Sequence, residues 1–202
     1  VTLRVPFDGT QRVVTRQADR PQDVYPVSTA GDAPDVAVAA LGNEAVGWVP
    51  QSRSAAGRFD SLAVLATSRD GAVDVHAADL TGNDHPDLLS ASLRGDVVQW
   101  YENQADGAFA PPQPITTEAD GPVAVQAADV DGDGDADVIV GALLGERLLW
   151  CENQGDGQFG PGREIAEGVR GLETLHVSDL DNDGTPDLLA VSYRDSTVTR
   201  YE

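Results

Sequence analysis

The sequence predicts an all-β fold, a β-propeller of about four four-stranded blades. The first observation is an acidic segment that occurs three times, at 79–87, 129–137 and 179–187, with first aspartates 50 residues apart. The second is that short β-rich runs separated by Gly, Asp, Asn and Pro fill each repeat. The third is the absence of any long segment with the apolar period of a helix. A repeat of this length is typical of stacked or radial arrays.

Each full repeat contains four predicted strands, A to D, and the acidic segment joins A to B. Strand A precedes the acidic segment, at 72–80, 122–130 and 171–180. Strand B follows it, at 87–92, 137–143 and 187–193. Strand C comes after a tight turn, at 97–102, 147–152 and 197–202. Strand D is predicted near Ile115 and Ile165.

One continuous array over 1–202 is predicted, because a lone blade cannot bury both of its faces. An earlier copy is found around Asp35 and Trp48, which precede Asp87 and Trp100 by 52 residues. The last unit ends on strand C at Glu202, and strand-like runs at 1–5 and 12–15 open the chain. We predict that the N-terminal strand completes the last blade, since open sheet edges invite aggregation. The predicted units are 1–23 (partial), 24–71, 72–121, 122–170 and 171–202.

The charge balance argues against anionic partners. The chain has 34 acidic residues and 13 basic ones, all Arg, for a net charge of −21. We therefore expect no binding to nucleic acid or to anionic membrane surfaces. The apolar runs are short, so no membrane insertion is expected. Because the chain starts at Val1 rather than Met, we expect a processed product or a fragment.

The segment 129–137 has the pattern of an oxygen-only cation cage. Asp129, Asp131, Asp133 and Asp137 alternate on a turning backbone, and Gly134 permits the positive φ of the sharp turn. The backbone carbonyl of Asp135 can then face inward. Hard oxygen ligands around a flexible site favour Ca²⁺ over Mg²⁺, which requires a strict octahedron, and over Zn²⁺, which prefers His and Cys.

The other acidic segments keep this pattern to different degrees. The segment 179–187 is complete, and its predicted ligands are Asp179, Asp181, Asp183, the Thr185 carbonyl and Asp187. The segment 79–87 is weaker, and its candidate ligands are Asp79, Thr81, Asn83, the His85 carbonyl and Asp87. In the earliest copy only Asp35 survives, so no metal is expected there. The sequence thus predicts two calcium sites and a weaker third candidate.

Three tryptophans recur on strand C. Trp48, Trp100 and Trp150 occupy equivalent positions, and Arg200 replaces them in the last repeat. Their period favours packing between blades over exposed platforms for sugar rings. The single cysteine, Cys151, occupies the place of Tyr101 and is predicted to be a core residue.

The Asp-x-Asp-x-Asp-Gly-x-x-Asp pattern between strands resembles the calcium loop of FG-GAP or VCBS repeats. The phrase at Trp100–Asn103, followed by a Gly-x-Phe segment, is similar to the bacterial VCBS type. The resemblance covers 72–202 well and 24–66 poorly. It implies a propeller with structural calcium and no chemistry of its own, similar to integrin α-subunit propellers and to bacterial and fungal lectin propellers. Propellers of this family usually have about seven blades and this chain supplies about four. The resemblance therefore leaves open part of a larger ring, half of an assembly such as a homo-oligomer, or an unusually small propeller.

For function, we expect a secreted or cell-surface binding module for adhesion or for recognition of a protein or glycan ligand. The alternative is a non-catalytic accessory domain of a larger exported enzyme or surface protein. A calcium-dependent polysaccharide hydrolase or lyase is the third and least favoured hypothesis, since no carboxyl group is marked by the sequence as a general acid. We therefore expect no enzymatic activity.

Overall fold

The computed structural model describes residues 13–27, 34–42, 45–52, 58–67, 71–104 and 108–202. Every regular element in these ranges is a β-strand, which confirms the all-β prediction. The strands are β1 (Pro21–Val27), β2 (Asp35–Ala40), β3 (Ala45–Val49), β4 (Ala63–Thr67), β5 (Ala72–Ala78), β6 (Asp87–Ser92), β7 (Val97–Tyr101), β8 (Gln113–Thr116), β9 (Pro122–Ala128), β10 (Asp137–Ala142), β11 (Arg147–Cys151), β12 (Arg163–Glu167), β13 (Leu172–Ser178), β14 (Asp187–Ser192) and β15 (Thr197–Tyr201).

The strands form four antiparallel sheets, in which each strand pairs with its neighbour in sequence. Three sheets have four strands, β1–β4, β5–β8 and β9–β12, and the last has the three strands β13–β15. The sheets pack like propeller blades, and we call them blades 1 to 4. Residues 13–15, the described part of the predicted strand at 12–15, are not in a strand. Residues 1–12 lie outside the described ranges, so closure by the N-terminal strand stays a prediction.

The second strand of each blade forms the core of its sheet. All six residues of β6 and of β10 are buried. The same register recurs in each blade, with Leu89 opposite Trp100 and Ile139 opposite Trp150. Strands covered on both faces read as continuous apolar runs, which is why the alternation of a half-exposed strand is missing here.

Neighbouring blades pack through their first strands and through aromatic pairs. β1 contacts β5, β5 contacts β9, and β9 contacts β13. Trp48 of blade 1 meets Phe109 of blade 2 edge-on, with ring centroids 5.0 Å apart. Trp100 of blade 2 meets Phe159 of blade 3 at 6.5 Å. The predicted role of these two tryptophans in packing between blades is confirmed, as is the burial of Cys151.

Two aspartates also join neighbouring blades. Val75 N on β5 donates to Asp23 Oδ2 on β1 at 3.2 Å. Val125 N on β9 donates to Asp74 Oδ2 on β5 at 2.7 Å. Each bond satisfies a backbone donor of one first strand with a carboxylate of the preceding one, which fixes the relative height of the blades.

The faces at the two ends of the array are open. Val24 on β1 and Val198 on β15 are 59% and 68% exposed. In the described part of the chain, β1 and β13 share no packing comparable to that between adjacent blades. Within the same ranges, no helix has the length and apolarity required to cross a membrane.

Candidate metal centres

The three acidic segments are the loops that join the first and second strands of blades 2, 3 and 4. They link β5 to β6, β9 to β10 and β13 to β14. Because the blades are equivalent, all three loops lie on the same rim of the array. The predicted positive φ at the sixth loop position is confirmed, with values of 64° at Asp84, 98° at Gly134 and 93° at Gly184.

The loop at 129–137 is folded around its first carboxylate. Asp129 Oδ1 accepts hydrogen bonds from Gly132 N at 2.8 Å and Asp133 N at 3.1 Å, and Oδ2 accepts one from Gly134 N at 3.0 Å. One carboxylate oxygen from each of Asp129, Asp131 and Asp133 lies within 4.8 Å of the other two. Three like charges at this distance repel one another strongly unless a cation lies between them. The donor set therefore fits a hard metal ion.

The loop at 179–187 has the same fold but a different group of oxygens. Asp179 accepts from Asp183 N at 3.2 Å and from Gly184 N at 3.0 Å. The three oxygens within 4.8 Å of one another belong to Asp179, Asp181 and Asp187. Asp183 Oδ1 instead accepts from the Thr185 hydroxyl at 2.6 Å, and the hydrogen bonds from Thr185 lower the pKa of Asp183.

The loop at 79–87 is held by the same bonds but lacks a group of three carboxylates. Asp79 accepts from Thr81 N, Asn83 N and Asp84 N at 3.3, 3.1 and 2.7 Å. Among the described residues, only the other two loops bring three acidic ligand atoms together. The Thr81 hydroxyl is buried without a hydrogen-bond partner in the described structure. An unsatisfied oxygen at the third loop position is consistent with the weaker site predicted here, with Asn83 as a further oxygen donor.

Backbone carbonyls were predicted as ligands at His85, Asp135 and Thr185. These three residues lie at equivalent points of their loops, after the residue of positive φ. Their participation stays a prediction, as does the absence of a site in the earliest copy, where 28–33 lie outside the described ranges.

The last aspartate of each loop fastens the loop to its blade, a role that the sequence analysis missed. Asp87 accepts from Leu80 N at 2.9 Å and from Asn103 N at 2.8 Å. Asp137 accepts from Val130 N at 3.1 Å and from Asn153 N at 2.7 Å. Burial raises the pKa of Asp87 to about 6 and raises that of Asp137.

The same role extends to the other two blades. Asp187 accepts from Leu180 N at 2.8 Å, and in the earliest copy Asp35 accepts from Gln51 N at 2.6 Å. Asp35 therefore keeps the role of fastening the loop to its blade, in a copy that lacks the other candidate metal ligands. The signal was present in the sequence, since this aspartate is the one acidic residue found in all four copies.

Arg200 provides an internal cation at the loop of blade 4. Its Nη2 is paired with Asp181 Oδ2 and lies 2.9 Å from Asp187 Oδ1. Both carboxylates belong to the group that could hold a metal. The other blades have tryptophan at this position, so the loops at 129–137 and 179–187 differ in their competing charge although their aspartates match.

The Arg200→Gln variant is expected to bind calcium about 3- to 10-fold more tightly in the loop at 179–187, because a competing positive charge is removed. Isothermal titration with calcium measures the change. Arg194→Gln is the matched control, since Arg194 lies over the Tyr193 ring rather than in the loop. Equal affinities in the wild type and Arg200→Gln would show that Arg200 moves away freely when the ion binds.

Comparison with known proteins agrees with the predicted resemblance. Residues 79–140 match the FG-GAP-like repeat family. That segment contains the loops of blades 2 and 3 and the strands between them. No curated protein sequence matches the chain.

Among the solved structures that share the fold are the following two. One is an Agrocybe aegerita lectin described as recognising non-reducing terminal N-acetylglucosamine; the TM-score is 0.58 at 19% identity, and the match covers 90% of this chain and 52% of the lectin. The other is the V. cholerae biofilm matrix protein Bap1, with a TM-score of 0.50 at 17% identity, covering 90% of this chain and 26% of Bap1. The chain thus spans about half the length of the lectin. These likenesses show the fold alone.

Proposed function

We propose that this chain is a calcium-stabilised, non-catalytic binding module that acts outside the cell. The observation that supports it best is the loop at 129–137, where three carboxylate oxygens lie within 4.8 Å of one another on a backbone folded around Asp129. Oxygen-only ligands on a flexible loop match the preference of Ca²⁺. Asp129, Asp131 and Asp133 would hold the ion, with Asp179, Asp181 and Asp187 as the second set.

The expected role of calcium is structural. The ion neutralises clustered carboxylates that otherwise repel one another, and it holds the rim loops in shape. Loops with affinities in the extracellular range, about 10⁻⁴–10⁻³ M, are saturated only where calcium is millimolar. A secreted or cell-surface location follows from this proposal.

Removal of calcium is expected to lower the melting temperature. At millimolar calcium each site contributes about 0.4–1.4 kcal/mol to the free energy of unfolding. Thermal melts in calcium, in EDTA and in EDTA followed by excess calcium measure this effect. Asp133→Asn is expected to reduce the calcium-dependent shift, because one of the three clustered carboxylates is lost. The exposed Asp156→Asn, outside the loops, is the control. A melt that EDTA leaves unchanged, with no metal in elemental analysis, contradicts the proposal.

For the ligand, we propose a glycan. The support is the shared fold with a lectin whose structure concerns N-acetylglucosamine recognition. A glycan array of the full chain, in calcium and in EDTA, tests the proposal. Calcium-dependent binding to a defined sugar class supports it, and an array without binding contradicts it.

The alternative is an accessory domain of a larger exported protein. This alternative is favoured because the chain matches only part of each larger structure, 52% of the lectin and 26% of Bap1. An accessory domain is expected to have no glycan affinity of its own while keeping its dependence on calcium. The two measurements therefore separate this alternative from the glycan proposal.

A further inference from the structure

The side chain of Asn153 joins the acidic loops of two neighbouring blades. Asn153 lies just after β11 in blade 3 and is fully buried. Its Nδ2 donates to Leu80 O at 2.9 Å, in the loop of blade 2, and to Ala136 O at 3.1 Å, in the loop of its own blade. An asparagine amide has two hydrogens to donate. Both are used here, one on each loop, so a single side chain bridges the two loops.

The two carbonyls lie next to candidate metal ligands. Leu80 stands between Asp79 and Thr81, the first and third positions of the loop of blade 2. Ala136 directly follows Asp135, whose carbonyl is a predicted ligand in the loop of blade 3. A displacement of either bonded carbonyl therefore moves oxygens that would hold an ion.

The start of the loop of blade 2 is attached to blade 3. Leu80 N donates to Asp87 Oδ2 at 2.9 Å, so both backbone polar groups of Leu80 are hydrogen-bonded. The Leu80 side chain is buried in the same apolar cluster as Val138 and Val140 of blade 3. The position of this part of the loop therefore depends on blade 3 as well as on its own blade.

The orientation of the Asn153 amide is fixed within blade 3. Asn153 N donates to Asp137 Oδ1 at 2.7 Å, and Asn153 Oδ1 accepts from Gly155 N at 3.2 Å. Because the oxygen is bonded to Gly155 N, the amide nitrogen faces the two carbonyls, and a flipped amide would lose all three side-chain bonds. The side chain therefore cannot follow the movement of one loop without releasing the other.

Binding of an ion gives this bridge a consequence. Without an ion, the clustered carboxylates of Asp129, Asp131 and Asp133 repel one another. A loop that opens to relieve the repulsion displaces Asn153 or breaks its hydrogen bond, and a buried polar group of the other loop then loses its partner, which is unfavourable. An ion that holds one loop closed therefore favours the closed form of the other loop. Such coupling is reciprocal, since each ion raises the affinity for the other by the same factor.

We propose that Asn153 couples two ion sites, so that calcium bound in the loop at 129–137 raises the calcium affinity of the loop at 79–87. This inference rests on the proposed calcium binding, and it adds which sites act together and which residue joins them. The loop at 79–87 has fewer carboxylates than its neighbour. At a given calcium concentration, its occupancy therefore depends most on the coupling. Calcium then holds blades 2 and 3 together as one cooperative unit.

Calcium titration of the isotope-labelled full chain, followed by NMR, tests the coupling. Each loop has a glycine whose amide signal reports that loop alone: Gly82, Gly132 and Gly184. The hydrogen bonds of Asn153 go to the loops of blades 2 and 3, so the Gly184 signal in blade 4 is an internal control.

The first variant disables the site at 129–137 without a change at the bridge. Asp131→Asn/Asp133→Asn removes two of the three clustered carboxylates and keeps Asp129, around which the loop folds. We expect the calcium midpoint of the Gly82 signal to rise about fivefold or more, because the coupled ion is lost. The midpoint of the Gly184 signal is expected to stay unchanged.

The second comparison removes the bridge itself. In an Asn153→Ala background, Asp131→Asn/Asp133→Asn is expected to shift the Gly82 midpoint by less than about twofold. Gln154→Ala, at the exposed next residue, is the control background and is expected to keep the full shift. The side-chain amide signals of Asn153 give a measurement that needs no substitution at the bridge. They are expected to move during the titration together with the Gly82 signal.

The outcomes separate this proposal from the proposed function. The coupling is overturned if the Gly82 midpoint is the same with and without Asp131→Asn/Asp133→Asn, or if Gly82 does not respond to calcium. An equal shift with and without Asn153 overturns the role of this residue. In each of these cases, a Gly132 signal that responds in the wild type still supports calcium binding. The absence of any response at all three loops contradicts the proposed function itself.

Discussion

The Asp137→Ala variant is expected to lose about 2–4 kcal/mol of unfolding free energy, with or without calcium. Asp137 is fully buried, and its two oxygens accept from Val130 N and Asn153 N. Alanine leaves both backbone donors unsatisfied in the interior. The loop then loses its attachment to β11, and the hydrogen bonds of Asn153 to Leu80 O and Ala136 O lose their support. Urea unfolding in calcium and in EDTA measures the loss.

The exposed Asp133→Ala is the matched control, because it removes a carboxylate from the same loop without uncovering a buried donor. Its effect is expected to disappear in EDTA, whereas most of the effect of Asp137→Ala is expected to remain. If EDTA abolishes both effects, Asp137 acts as a metal ligand rather than as an attachment of the loop.

The loops were predictable in detail because their chemistry is local. The alternate aspartates and the residue of positive φ at the sixth position all lie within one short segment of sequence. The structure has the predicted positive φ at Asp84, Gly134 and Gly184. The packing role of Trp48 and Trp100 was also predictable, since a fixed period implies a fixed environment.

The roles that depend on other blades were not predictable in this way. Asn153 donates from blade 3 to Leu80 O in blade 2, across 73 positions of sequence, and no local pattern marks such a bond. In the sequence, Arg200 is marked only by replacing the tryptophan that the other blades have at this position. Its pairing with Asp181 depends on the register of β14 and β15. The final aspartate of each loop was assigned to the metal because its neighbours are acidic, although its burial gives it a second role.

Asp74 is a further residue whose environment the sequence did not indicate. It lies on β5 against Asp23 of the preceding blade, and its Oδ2 accepts from Val125 N of the next blade. Burial is the main cause that raises the pKa of Asp74 from its ordinary value of 3.8 to about 8, and the charge of Asp23 and a hydrogen bond with it add to the shift. Neutral Asp74 can donate a hydrogen bond to Asp23 across the boundary between the two blades.

This arrangement predicts a loss of stability as the pH rises. The folded-state pKa lies above the unfolded value, so the stabilisation is complete below about pH 4 and is lost as the pH approaches 8. At pH 8 the free energy of unfolding of Asp74→Asn is expected to exceed that of the wild type by about 2–3 kcal/mol. The amide keeps an acceptor for Val125 N and a donor for Asp23. Near pH 4 the two proteins are expected to be equally stable. Urea unfolding from pH 4 to 9 measures the difference, with the exposed Asp120→Asn as the control. Parallel curves for the wild type and Asp74→Asn would mean that Asp74 is already ionised in the folded protein, with its charge compensated at the blade interface.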